Sequence, residues 1–319
     1  MRCLKKGNMN EFQPLVSIVI PVYNGSNYMR EAIDSALAQT YERVEVIVVN
    51  DGSTDDTEQI ALSYGERIRY FRKENGGVSS ALNLGIKEMK GEYFSWLSHD
   101  DVYTPDKIEV QIDALRGLEE KNTLVLCKAE LINKNSEPIQ RRRHVRALPC
   151  GEVLPWNTVL HHLLKNGSFN GCALLIPKTA FTVCGRFDER LRFNQDGFMW
   201  DKIFMSGFSL LCIPDVCVKN RIHSGQLTQR GQNIFHDDCE AMSVYLIPEL
   251  KAITTKHDRF LFDYAKYNAK YGNRRVVKRV LSMPIDSFNW KERMSISTLC
   301  CYGFVRPMLR RLFYALQKI

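Results

Sequence analysis

Two adjacent carboxylates, Asp100 and Asp101, close the run Trp96-Leu97-Ser98-His99-Asp100-Asp101. Hard oxygen ligands on a loop directly after an apolar run suit Mg²⁺ or Mn²⁺, which keep open positions for diphosphate oxygens. A cation there would neutralise the charge that builds on a departing nucleotide diphosphate. The competing account of the pair is an acidic helix N-terminus, favoured by the dipole of a helix opening at Pro105. In Val48-Val49-Asn50-Asp51-Gly52-Ser53-Thr54-Asp55-Asp56 an Asp stands at a strand end before a Gly that permits a tight turn. Such an Asp can accept hydrogen bonds from a ribose or a base edge, although an ordinary capped turn reads the same way. Asp196 follows Gln195 at the start of an apolar helix, where a carboxylate serves as a general base or as an N-cap. His223 ends a strand in Arg221-Ile222-His223, and a lone His in such a place is more often structural than chemical.

Alternating strands and helices must position these groups. Val16 to Val22 and Val44 to Val49 are apolar, β-branched runs that read as buried strands; Ile68 to Phe71 and Tyr93 to Ser98 are shorter ones. Helical spacing covers Tyr28 to Gln39 and Ser79 to Met89. Ser53 or Thr54 is expected to cap the helix near Asp55, and Thr104 to cap one with Pro105 at its first position. Strands alternating with helices imply a parallel sheet of βαβ units, with the ligand crevice at the carboxyl ends of its strands. The polar clusters at Tyr23-Asn24, Asp51-Gly52-Ser53 and His99-Asp100-Asp101 all sit there. Beyond residue 130 the spacing predicts a helix over Gly151 to Asn166, a strand over Ala173 to Ile176 and a helix over Asp196 to Ser206. Separate strands follow over Ser209 to Ile213 and Val216 to Ile222, and helix from His236 onward.

The ten cysteines form no CxxC pair, which favours reduced thiols in a cytosolic protein. The polar stretch Met1 to Gln13 does not read as a signal peptide, and no run of 18 apolar residues reads as a membrane span. The net charge is +8, but Lys251 to Ile319 carries 15 Lys and Arg against 4 Asp and Glu. That stretch is therefore +11, and the remaining 250 residues come to −3. Arg274, Arg275, Lys278, Arg279, Arg306, Arg310 and Arg311 alternate with Val276, Val277, Val280, Phe304, Leu309, Leu312, Phe313 and Leu316. Basic residues beside an apolar face suit an anionic membrane surface, or else a helix that packs its apolar side and leaves a solvated basic one.

The order of the motifs resembles family 2 glycosyltransferases of the GT-A fold. The pieces are Val16 to Asn24, Val49 to Thr57, Asn75-Gly76-Gly77-Val78-Ser79, Ala81-Leu82-Asn83-Leu84-Gly85-Ile86, Lys90-Gly91-Glu92-Tyr93, Leu97 to Asp101 and Pro105 to Glu109. Gly185-Arg186-Phe187-Asp188-Glu189, Gln195-Asp196 and Arg221-Ile222-His223 complete the set. The resemblance implies a Rossmann-like, mostly parallel sheet flanked by helices over 15–235, with a nucleotide-binding half at 15–130 and an acceptor half at 131–235. An N-terminal tail (1–14) and a basic helical region (236–319) flank it.

It further implies that Pro21, Tyr23 and Asn24 line the base pocket, that Asp51 contacts the nucleoside, and that Asn83 belongs to the same donor site. Asp100 would match the metal-binding Asp of the family's DXD motif, with Asp101 and His223 as further ligands of Mn²⁺ or Mg²⁺. Asp196 would match the catalytic base of the family's Glu-Asp pair. This sequence departs from the family at Ser98, where the first acid of the motif is usual, at Leu82, where an Arg is common, and at Gln195. The implied activity is inverting transfer of a sugar from a nucleotide-diphosphate donor to a glycan or lipid-linked glycan, as in the synthesis of bacterial cell-surface polysaccharide. The implied place is the cytoplasm or the cytoplasmic face of the inner membrane.

Other functions fit less well. A sugar nucleotidyltransferase needs a Gly-rich phosphate loop with a basic residue straight after strand one, and here no Lys or Arg stands between strand one and Arg30. A non-catalytic nucleotide-sugar-binding module would not need Asp51, Asp100, Asp101 and Asp196 together. Nucleic acid is not an expected partner, because no zinc-finger or RNP pattern accompanies the basic tail.

Overall fold

A computed structural model describes residues 12–120, 122–139, 148–226, 232–254, 259–283, 289 and 291–302. The buried run VSIVIPV forms β1 (Val16–Val22) in the middle of a parallel set. It pairs with β2 (Val44–Asn50) on one side and β4 (Tyr93–Trp96) on the other, and β2 pairs with β3 (Arg69–Arg72). Helices α1 (Met29–Leu37), α2 (Thr57–Leu62) and α3 (Val78–Glu88) make the crossovers. Close packing has a visible cause at Gly85 of α3, where an added Cβ would stand 2.3 Å from Val19 Cγ1.

The sheet continues beyond β4. Its nine strands run in the order β3-β2-β1-β4-β8-β6-β9-β5, with β7 on β9. Here β5 is Val102–Tyr103, β6 Thr123–Ile132, β7 Val153–Leu154, β8 Leu174–Pro177 and β9 Ser209–Arg221. β8 is antiparallel to both β4 and β6, and β6 is parallel to β9. β4, β6 and β9 therefore point the same way, and β9 delivers its C-terminus to the edge where β1, β2 and β4 end. Helices α4 (Lys107–Leu115), α5 (Trp156–Asn166), α6 (Lys178–Cys184) and α7 (Gln195–Met205) lie between these strands along the chain.

Several expected elements differ. Gly151 to Asn166 is not one helix: Gly151 has φ +90°, β7 follows, and α5 starts only after Pro155. The two strands expected over 209–222 are a single β9. Pro214 lacks an N–H, yet the chain continues because residues 214–216 are exposed and the β6 register slips opposite them. β6 lies outside the expected elements, since polar Lys128 and Glu130 interrupt its apolar run. Neither expected hydroxyl cap forms. α2 starts at Thr57, whose N–H is accepted by Asp55 Oδ1 at 3.1 Å, and α4 starts at Lys107, with the Thr104 hydroxyl turned to Asp106 Oδ1 at 2.6 Å.

The chain divides into two compact units, residues 1–159 with 169–226, and residues 160–168 with 227–319. The first holds the sheet. In the second, α8 (Gln232–Ile253), α9 (Phe260–Lys270) and α10 (Arg274–Leu281) pack on one another, and 291–302 is also helical. Val276, Val277 and Val280 are buried in this unit. Arg275 pairs with Glu240 and Asp237, and Arg279 donates to Ser243 Oγ at 2.7 Å. The valine face expected to meet a membrane or to pack away from solvent is thus buried. Arg306, Arg310, Arg311 and their apolar neighbours lie outside the described residues. Among the described residues no helix is long and apolar enough to cross a membrane.

Candidate active site

The loops after β1, β2 and β4, and the residues after β9, leave from one edge of the sheet. The first two loops are laced together. Asn24, in the left-handed region at φ 48°, donates its N–H to Ser53 Oγ at 2.9 Å, and its Oδ1 accepts from Thr54 N at 2.8 Å. Gly25 N donates to Thr57 Oγ1 at 3.0 Å and Ser26 N to Asp55 Oδ2 at 3.0 Å. Burial works to raise the Asp55 pKa, but hydrogen bonds from Thr57 and Ser26 outweigh it and bring it down to about 2. Pro21 is buried in β1 opposite Val49, whereas the ring of Tyr23 is about half exposed (49%). Of the three residues expected at the base pocket, Tyr23 therefore offers the open surface and Asn24 builds the loop.

Asp51 is buried, and both its oxygens are used. Oδ1 accepts from Lys73 Nζ at 2.8 Å and from Gly76 N at 3.0 Å, and Oδ2 accepts from Gly77 N at 2.7 Å. The carboxylate expected at a nucleoside thus anchors the turn that opens α3. Gly52, at φ +76°, allows this approach, since a Cβ there would lie 2.7 Å from Asn75 N. Asn83 is likewise taken by the protein. Its Nδ2 donates to Phe187 O at 2.9 Å and to Glu189 Oε1 at 2.8 Å, and its Oδ1 accepts from Phe187 N at 3.0 Å. It is a strut between α3 and the Gly185 to Glu189 segment, which the sequence motifs present as unrelated pieces.

Asp100 and Asp101 face different ways. Asp100 Oδ2 lies 3.0 Å from His223 Nε2. Gly225 N donates to His223 Nδ1 at 3.2 Å, so the ring proton sits on Nε2 and is given to Asp100. Asp101 points inward. Its Oδ1 accepts from Arg221 N at 2.9 Å, and its Oδ2 accepts from Asn220 Nδ2 at 2.8 Å and from the Cys172 thiol at 3.4 Å. Burial, and then the charge of Asp100, push its carboxyl up to about 7. Asp101, expected as a metal ligand, is spent on the frame behind the site. Among the described residues no three His, Cys, Asp or Glu side chains gather as a metal cage. Asp100, with the His223 imidazole once its Nε2 proton has left, nevertheless fits a hard cation that draws its other ligands from a diphosphate.

Asp196 stands in the first turn of α7, with Oδ1 accepting from Gly197 N at 2.7 Å. Beside it Gln195 is buried, and its Oε1 meets no hydrogen-bond donor among the described residues. Further along α7, Asp201 is buried, and burial followed by the charge of Asp196 raises its pKa to about 8. In the sequence Arg221 stands out only as part of the Arg221-Ile222-His223 motif. Polar Lys219 and Asn220 directly precede it, so the sequence carries no sign that it is held inside, yet its side chain is 1% exposed.

A family model described as "Glycosyl transferase family 2" matches residues 17–183. Over 317 residues the chain is 42% identical to an uncharacterized glycosyltransferase of Rickettsia typhi, covering 97% of this chain and 93% of that one. Among solved structures, residues 1–349 of Staphylococcus aureus TarS superpose with a TM-score of 0.64 at 15% identity, covering 90% of each chain. The same protein in complex with UDP-GlcNAc gives 0.65 at 16% identity, over 88% of this chain and 79% of that one. At such identity the likeness is one of fold.

Proposed function

The chain belongs to glycosyl transferase family 2, and from that premise we propose that it moves a sugar from a nucleotide-diphosphate donor, with inversion, onto a hydroxyl of a glycan or lipid-linked glycan. The observation that carries this reading is the Asp100–His223 pair, set at the sheet edge where the β1 and β2 loops also emerge. A carboxylate and an imidazole at that edge suit the diphosphate end of a donor, and the exposed ring of Tyr23 suits its base. The shared fold of TarS, a protein solved with UDP and with UDP-GlcNAc, supports a nucleotide-sugar donor.

Asp100 and His223 would hold Mn²⁺ or Mg²⁺, which supplies charge stabilisation to the leaving diphosphate when bound. The other steps fall to the chain. Asp196 accepts the proton of the acceptor hydroxyl as the new glycosidic bond forms and the bond to the diphosphate breaks. A positioned base of this kind contributes ~10²–10⁴ in rate. Asp51 holds the 73–77 turn in place at the entrance to α3. The resemblance in motif order favours a role in polysaccharide biosynthesis. A screen of nucleotide sugars by thermal shift, with and without Mn²⁺, tests the reading. A Mn²⁺-dependent rise in melting temperature with one donor class supports it, and no response to any nucleotide sugar contradicts it.

Contact of the basic C-terminal stretch with an anionic membrane surface belongs to the same proposal, with Arg274, Arg275 and Lys278 on the exposed side of α10 and its valines buried. Flotation with anionic liposomes at low salt distinguishes the outcomes. Full-length protein that stays at the bottom, like protein ending at Tyr271, rules the contact out.

A further inference from the structure

Arg221 ends β9 with a guanidinium that is sealed from solvent. A buried cation persists only with its N–H groups satisfied, and here they are shared among three separate stretches of chain. Nε donates to the main-chain carbonyl of Asp100 at 2.8 Å. Nη1 donates to Ser136 Oγ at 2.8 Å and to Asn133 O at 3.3 Å. Nη2 donates to Glu31 of α1, which also accepts from Ser136 Oγ at 2.9 Å and so closes a ring of bonds. The guanidinium carbon lies 4.5 Å from the centroid of the Tyr28 ring, and that ring lies 5.1 Å from the His223 ring.

We propose that Arg221 is a positioning residue: it fixes the main chain of Asp100 from behind and, through Ile222 and the Tyr28 ring, the imidazole of His223. The carboxylate and imidazole then stand ready before a donor arrives. The inference rests on reading Asp100 and His223 as the groups that face the metal and diphosphate. Lysine cannot take over the role, because one ammonium on a flexible stem cannot reach Asp100 O, Ser136 Oγ and Glu31 together. Glu31 and Ser136 are exposed residues outside the chain's motifs for donor binding, and the inference makes both of them contributors to metal affinity.

The test uses full-length protein and the variant Arg221→Lys, with two readouts. The first is the ¹⁵N spectrum of the His223 imidazole without metal, assigned with His223→Gln. The second is the affinity for UDP by calorimetry, with and without Mn²⁺. Wild type is expected to show a single Nε2–H tautomer, and Arg221→Lys a mixture. Mn²⁺-dependent UDP affinity is expected to fall by about 10–100-fold, the scale of lost support behind a metal ligand, with metal-free UDP affinity unchanged. If Arg221→Lys does not fold, Glu31→Gln and Ser136→Ala, which leave the guanidinium in place, are expected to shift both readouts the same way by less. An unchanged tautomer and unchanged Mn²⁺ response in these variants overturn the role of Arg221. A wild type with the single tautomer but no Mn²⁺ response instead overturns the metal reading of the site, and the two failures are told apart by the wild-type titration alone.

Discussion

Asp100 Oδ2 and His223 Nε2 meet at 3.0 Å across 123 residues of sequence. Neither residue lies in a regular element; each follows the end of a strand, and the parallel direction of β4 and β9 brings the two ends together. Asp100→Asn, and separately His223→Gln, should each lower the Mn²⁺-dependent part of UDP affinity by about tenfold or more, since even outer-shell changes act on that scale. Calorimetry at fixed UDP with and without Mn²⁺ checks this. Equal Mn²⁺ response in wild type and Asp100→Asn would remove Asp100 from the metal site.

Asn83 makes a different prediction from the one its motif implies. Its amide is consumed by Phe187 N, Phe187 O and Glu189, all within the protein. Asn83→Ala leaves buried main-chain groups of Phe187 without partners, which costs about 1–3 kcal/mol. The melting temperature should drop, while UDP affinity measured well below it stays unchanged. A large loss of UDP affinity in a fully folded variant would return Asn83 to the donor pocket.

Asp201 ties stability to pH. Its folded pKa of about 8 lies above the ordinary carboxyl value of 3.8, because burial and then Asp196 disfavour the charge. Between those two values the folded protein holds a proton that the unfolded chain has lost, so stability falls as pH rises through that window. Asp201→Asn should therefore match wild type near pH 4 and melt higher at pH 8. Each kcal/mol regained corresponds to roughly 2–4 °C for a unit of this size. A wild type that melts higher than Asp201→Asn at pH 8 would show that the carboxylate is stabilised inside.

The nucleotide-binding half was legible because buried parallel strands are short, continuous and β-branched, and because polar clusters directly after them have one plausible address. β1, β2, β4, α1 and α3 follow from that pattern within a few residues. β6 and the continuity of β9 were not legible, since a strand with polar or Pro interruptions depends on its neighbours for identity. Residue types at the site could be read, but side-chain direction could not. Asp100 and Asp101 are identical in type and adjacent, yet one faces His223 and the other faces Arg221 N and Asn220. Asp51 and Asn83 carry motif positions whose polar atoms the fold itself uses.

Asp196 is the residue on which the proposed chemistry turns, and the stereochemistry of slow donor hydrolysis examines it without knowledge of the acceptor. With the donor found by thermal shift and Mn²⁺ present, ¹H NMR records which anomer of the free sugar appears first, before mutarotation. A base that activates water on the face opposite the diphosphate gives the β anomer from an α-linked donor. Asp196→Asn should slow this release by ~10²–10⁴ and leave donor affinity near that of wild type. The α anomer appearing first from that donor, or release at the wild-type rate from Asp196→Asn, would contradict the account.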